Sequence, residues 1–156
     1  MFIYVAHPID FAGEDLPDIC TMVDHLTQSL HQAGATAVYR PAAAWSASRP
    51  MNKSIQEVNM CALLRADALI SILPEQVATI GVPFEMGIAY GANIPTVLIR
   101  GTTTEYARKL VRRSAMLAFL DLPIYGYDDV EAAAYRVVTM AIYRRQQEKI
   151  EEAGNL

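Results

Sequence analysis

Five short, almost uninterrupted apolar runs, separated by longer amphipathic stretches, leave this chain few folds to choose from. Residues 2–6 (FIYVA), 36–39 (TAVY), 68–73 (ALISIL), 96–99 (TVLI) and 116–120 (MLAFL) read as strands. They are apolar at successive positions and not at alternate ones, the mark of parallel strands covered on both faces. Between the first two, residues 16–32 carry Ile19, Val23, Leu26 and Leu30 at helical spacing, and Gly34 follows as the helix-ending glycine. Residues 54–66 repeat the pattern with Ile55, Val58, Ala62 and Leu63, and Ser54 with Glu57 has the S-x-x-E form of a capping box. Further helices are expected over 83–92, 104–112 and 128–145, the last burying Val130, Ala134, Val137, Ala141 and Ile142. The strict alternation predicts a doubly wound, flavodoxin- or Rossmann-like α/β fold: a five-stranded parallel sheet with helices on both faces. A single domain then occupies 1–145, and the charged stretch 146–156 reads as a helix end fraying into a tail.

Composition narrows the function. At 156 residues, 53% apolar and 19% charged, the chain must fold around a core. A net charge of −4 argues against a partner held by field strength, so neither a nucleic-acid polymer nor a membrane surface is expected. Residues 1–10 lack the basic and long apolar regions of a signal peptide, which points to a cytoplasmic protein. Cys20 and Cys61 read as reduced core or near-core thiols. With His7, His25 and His31 they form no ligand set, so no metal and no cofactor are expected.

In an open parallel sheet, ligands bind beyond the carboxyl ends of the strands. The segments to search are therefore those that follow each strand. After the first come His7, Pro8 and Asp10; after the second, Arg40 and then Trp45; after the third, residues 74–81 and a helix with Glu85 in its first turn. Glu85 stands in an otherwise apolar, glycine-bearing run, GVPFEMGIAYG. Such a carboxylate either points into a cleft or complements the helix dipole.

Three segments resemble the nucleoside 2-deoxyribosyltransferase superfamily, closest in pattern to deoxynucleoside 5′-monophosphate N-glycosidases of the Rcl type and to hydroxymethyl-CMP hydrolases. Residues 3–8 (IYVAHP) are similar to its Y-x-A-G-P, with His7 in place of glycine. Residues 65–70 (RADALI) resemble the A-D-hydrophobic lead into strand three, and 81–89 (GVPFEMGIA) with 93–97 (NIPTV) resemble its nucleophile motif. The resemblance implies an N-glycosidase acting on a (deoxy)nucleoside 5′-monophosphate, in which Glu85 attacks C1′ and forms a covalent glycosyl intermediate. An oxocarbenium-like centre needs such an anionic oxygen on one face and help to the departing base on the other.

The other site residues follow from the same resemblance. Thr79 stands where many deoxyribosyltransferases have Asp and the monophosphate glycosidases have a phosphate-touching Ser. It favours a nucleotide, and Gly81 is a further substrate-binding candidate. Ser114, in Ser114-Ala115-Met116, resembles a serine that reaches the neighbouring subunit's phosphate pocket, which implies a homodimer or higher homo-oligomer. Arg112 or Arg113 would steer the phosphate, unless the cluster with Arg108 and Lys109 is simply a solvated helix end. Asn59 replaces the catalytic Asp, and an amide cannot donate a proton as an acid does. Glu57 is about 200° around the helix and a poor substitute; Asp10, after strand one, is an alternative acid or sugar-binding group, unless it is a loop carboxylate that starts a turn. Tyr4, Trp45 and Arg40 are further substrate-binding candidates. Tyr4 would line base or sugar or else belong to the strand core, Trp45 would stack on a base or else cover the core, and Arg40 would touch base or phosphate or else pair with a surface acid. Base exchange on free nucleosides, and nucleotide binding without turnover, are the alternatives. Other parallel-sheet functions fit less well, since Asp10 with Asp121 makes no response-regulator acidic set and Gly13 alone makes no dinucleotide loop.

Overall fold

The computed structural model describes residues 1–8, 16–41, 53–74, 81–101, 103–112 and 121–154. The elements are β1 (Phe2–Ala6), α1 (Leu16–Gln32), β2 (Ala37–Tyr39), α2 (Lys53–Leu64), β3 (Ala68–Ile72), α3 (Gly81–Gly91), β4 (Thr96–Ile99), α4 (Thr104–Arg112), β5 (Ile124–Tyr125) and α5 (Val130–Gly154), the last preceded by a 3-10 turn, Tyr127–Asp129. The five strands form one parallel sheet in the order β2-β1-β3-β4-β5. This is the flavodoxin-like order, in which the direction of winding reverses between β1 and β3. The doubly wound α/β fold expected from the alternation is the fold observed.

Two apolar layers cover the sheet. Ile3 and Val5 of β1, Ile70 and Ile72 of β3 and Val97 and Ile99 of β4 pack beneath α1 and α5. On the opposite face Tyr4, Ala6, Leu69 and Leu98 meet Leu63 of α2 and Val82, Met86 and Ala89 of α3. The stripe expected in α1 is buried, with Ile19, Val23, Leu26 and Leu30 each at most 5% exposed. Gly34 ends that helix at φ +109°, and the Ala35 N–H returns to the Leu30 carbonyl at 2.9 Å.

Several local expectations are corrected. The strand paired with β4 is Ile124–Tyr125, whereas the run 116–120 lies outside the described residues. Two residues after Pro123 are too short an apolar run to stand out in sequence. α3 begins at Gly81 and not at Pro83, because a proline in the first turn removes an N–H that has no helical partner anyway. α2 starts at Lys53, which places Ser54 inside the first turn instead of at the cap. α5 continues to Gly154, carried past Arg145 by good helix formers and by the Arg144–Glu148 pair at 2.8 Å. Val58 and Ile142, read as buried, are 54% and 47% exposed. Cys20 and Cys61 are free and exposed, not core thiols.

Asp67, just before β3, ties three elements together. Its carboxylate accepts the Phe2 N–H and the Arg145 Nε–H, each at 2.6 Å. The Asp67 side chain is only 14% exposed, so removing it strands donors from β1 and α5. Asp67→Ala should lower unfolding stability by about 2–3 kcal/mol. A urea midpoint within error of wild type would contradict this.

Candidate active site

The site grows out of the pairing between β1 and β2. Tyr4 and Tyr39 are register partners, so their side chains leave the same face of the sheet. The rings stack with centroids 5.3 Å apart and planes at 28°, and Phe2 meets the Tyr39 ring edge-on at 6.4 Å. Each phenol reaches a helix across the layer. The Tyr4 hydroxyl donates to Glu85 Oε1 of α3 at 2.5 Å, and the Tyr39 hydroxyl donates to Asn59 Oδ1 of α2 at 2.7 Å. Two tyrosines, a carboxylate and an amide are thus joined on one face of the sheet.

Burial sets the charge states. Glu85 is half-buried, and loss of solvent pushes its carboxyl up to about 7, against the opposing pull of the Tyr4 hydrogen bond. Tyr4 is wholly buried, and burial together with the Glu85 charge drives its phenol far above the ordinary range. Burial and the Glu85 charge also raise Tyr39. Both phenols therefore stay protonated and act as hydrogen-bond donors, not as proton-transferring acids. A carboxyl titrating near neutrality beside fixed donors suits an oxygen nucleophile.

A second group of residues follows the strand ends. Among the described residues, four buried side-chain atoms lack a partner: Arg40 Nε, His7 Nε2, Ser71 Oγ and Arg100 Nε. They belong to the carboxyl ends of β2, β1, β3 and β4, four strands adjacent in the sheet. Each such atom costs roughly 1–3 kcal/mol until it finds a partner. Their collection along one edge marks where a polar ligand would satisfy them. For His7 the chemistry is specific. Nδ1 lies 3.0 Å from the Pro8 carbonyl, which can only accept, so Nδ1 carries the hydrogen and Nε2 is left with a lone pair. Burial, with a smaller push from Arg40, lowers its pKa and keeps the ring neutral.

The remaining expected residues divide as follows. Pro8 is buried next to His7, and Gly81 is the exposed first residue of α3. Arg40 pairs with Asp24 of α1 at 2.7 Å, the surface-acid alternative. Lys109 pairs with Glu105 one helical turn away at 3.1 Å. Asp10, Trp45, Thr79, Arg113 and Ser114 lie outside the described residues. Two residues of the site escaped the sequence reading. Tyr39 closes an apolar run and reads there as strand core; only the β1–β2 register places it opposite Tyr4. Arg100 directly follows β4, where the strand-end rule could have found it. Among the described residues no cluster of His, Cys, Asp and Glu is arranged to hold a metal, and no helix is long and apolar enough to cross a membrane.

Comparison with known proteins gives a family and a fold. The family model for nucleoside 2-deoxyribosyltransferase matches residues 3–140. Among solved structures, a 2-deoxyribosyltransferase from the psychrotolerant bacterium Bacillus psychrosaccharolyticus is similar, with a TM-score of 0.52 and 21% identity over 64% of this chain and 72% of that one. A conserved protein from Enterococcus faecalis V583 has a TM-score of 0.58 and 19% identity, covering 86% of this chain and 97% of its own. At these identities the likeness is one of fold. No curated protein matches the sequence.

Proposed function

Because the chain belongs to the nucleoside 2-deoxyribosyltransferase family, we propose that it hydrolyses the N-glycosidic bond of a (deoxy)nucleoside 5′-monophosphate, with Glu85 as nucleophile. The observation that carries the reading is the half-buried Glu85 carboxyl with Oε1 held by the Tyr4 hydroxyl. With Oε1 engaged, Oε2 is the oxygen left to attack. A lone pair on Oε2 forms the bond to C1′, the C1′–N electron pair leaves with the base, and the base takes a proton from water. Water then attacks C1′ of the glycosyl ester, loses its proton to solvent and returns the C1′–O pair to Glu85. Throughout, the Tyr4 hydroxyl stays on the oxygen that becomes the ester carbonyl, where it assists the carboxylate as leaving group in the second step.

The nucleotide preference rests on Thr79 and on the amino end of α3 at Gly81, where helical N–H groups suit a phosphate. Arg100 supports it, since it lies at the carboxyl end of the neighbouring strand with its buried Nε unpartnered. Ser114 of a second copy of this chain belongs to the same reading, which requires a homodimer or higher homo-oligomer; a cytoplasmic location is part of the proposal. Base exchange on free nucleosides is the second reading, favoured by the family model for nucleoside 2-deoxyribosyltransferase.

One panel separates the two. Nucleoside monophosphates and the matching nucleosides are incubated with and without an acceptor base, and free base is measured. Hydrolysis predicts base release from the monophosphate with kcat/KM at least about tenfold above the nucleoside and no need of an acceptor. That ratio corresponds to one well-made charged contact to phosphate. Turnover of the free nucleoside alone, dependent on an acceptor, would overturn it.

A further inference from the structure

The expected acid position holds Asn59, and the structure gives that amide a partner the sequence did not suggest. We propose that Tyr39 is a positioning residue: by donating to Asn59 Oδ1 it fixes the amide so that Nδ2 presents its N–H donors to a hydrogen-bond acceptor on the substrate. The inference rests on the glycosidase reading and specifies how Asn59 serves that site, by hydrogen-bond donation to the substrate in place of proton transfer.

The geometry that carries it is local and complete. Tyr39 ends β2, and its ring is gripped between the Tyr4 face at 5.3 Å and the Phe2 edge at 6.4 Å. The hydroxyl is therefore held over α2, 2.7 Å from Asn59 Oδ1. A free amide can turn end for end with almost no change of shape. In the observed orientation Oδ1 accepts the phenolic proton, whereas the reversed amide would donate Nδ2–H to the phenolic oxygen and leave that proton without this acceptor, so the hydroxyl favours the observed orientation. The two ends of an amide point apart, so anchoring Oδ1 at the strand turns Nδ2 away from it. Half-buried Asn59 then offers only donors. Two parts of a nucleotide could receive them: the acceptor beside the glycosidic nitrogen of the base, or a sugar hydroxyl oxygen.

A double-mutant cycle tests the proposal. A carboxylate has two equivalent oxygens and no donor, so Asn59→Asp removes the orientation that Tyr39 is said to fix. Tyr39→Phe keeps the ring and its stacking. It should lower kcat/KM about tenfold in the wild-type background and less than about threefold in Asn59→Asp. An equal loss in both backgrounds, or none in wild type, would overturn the positioning role. The pH profile supplies a readout that packing alone would not move. The wild-type rate should rise through the Glu85 titration and stay level to about pH 9, since no side-chain acid is lost. A falling alkaline limb would overturn donation in favour of proton transfer. Comparing a monophosphate with its 3′-deoxy analogue identifies the acceptor. If the sugar is the acceptor, the analogue abolishes the Tyr39→Phe effect, and if the base is the acceptor, the effect survives. The same cycle measured as nucleotide Kd by calorimetry on Glu85→Gln keeps the inference testable even if the wild type releases no base.

Discussion

Glu85→Gln should abolish base release, with a loss of roughly 10³–10⁶-fold in kcat, while nucleotide binding persists. The amide keeps the volume of the side chain and can still accept the Tyr4 hydroxyl through its oxygen, so the layer between β1 and α3 stays packed. What it lacks is the anionic oxygen that bonds C1′. Base release by the variant within tenfold of wild type would remove Glu85 from the chemistry. The informative companion measurement is stability against pH. The folded carboxyl titrates near 7 while the unfolded one lies near 4.5, so between those values the native state holds more protons than the unfolded chain. The Glu85 contribution to wild-type stability should be complete below about pH 4.5, fall as pH rises to 7 and then level off. After allowance for partial exposure the decline is roughly 2–3 kcal/mol. Glu85→Gln has no such titration. It should match wild type in acid and exceed it above pH 7, so the inactive enzyme is the more stable one. An inactive variant that was also unstable at pH 8 would point to a damaged fold.

This opposition between stability and activity at Glu85 bears on what the chain made legible. The sheet could be read because parallel strands announce themselves as continuous apolar runs and their helices as period-3.6 stripes; Ile19, Val23, Leu26 and Leu30 are buried as their spacing requires. β5 could not, because a two-residue strand draws its place from pairing with Leu98 and Ile99, a tertiary fact with no local pattern. The end of α5 was hidden for a different reason. Loss of an apolar stripe signals loss of packing, yet residues with high helix propensity continue the helix in solvent without it.

The site divides along the same line. Glu85 stood out as a charge in an apolar run. Its environment, the raised carboxyl and the tyrosine above it, depends on β1 lying beside β3 so that α3 meets Tyr4, which no window along the chain contains. Tyr39 and Asn59 are twenty residues apart in sequence and meet only because α2 crosses back over the β2 edge. Polar residues that end apolar runs are thus the ones that sequence reading discounts as core and that a parallel sheet delivers to its ligand edge.

Tyr4→Phe isolates the contribution of that delivery. The phenylalanine ring preserves the stack on Tyr39 and removes only the hydroxyl that donates to Glu85 Oε1. That hydrogen bond holds the Glu85 carboxyl lower than burial alone would, so its loss must raise the folded pKa further. The nucleophile is the ionised form. A higher pKa therefore leaves less of it at pH 7 and moves the ascending limb of the rate profile to higher pH. A hydrogen bond to a charged acceptor contributes about 1.5–3 kcal/mol, so kcat/KM at pH 7 should fall roughly 10–100-fold. Two effects are combined in that loss, and they separate with pH. The part due to protonation recovers as the buffer is made alkaline. The part due to misorientation of the carboxylate, and to the missing donor on the ester carbonyl, does not. A uniform loss with an unmoved limb would mean that Tyr4 aligns Glu85 without tuning it, and no loss at any pH would sever Tyr4 from the reaction. The expected result is a displaced limb with a reduced plateau, because the same hydroxyl that keeps a buried carboxyl ionisable also fixes which of its oxygens faces the sugar.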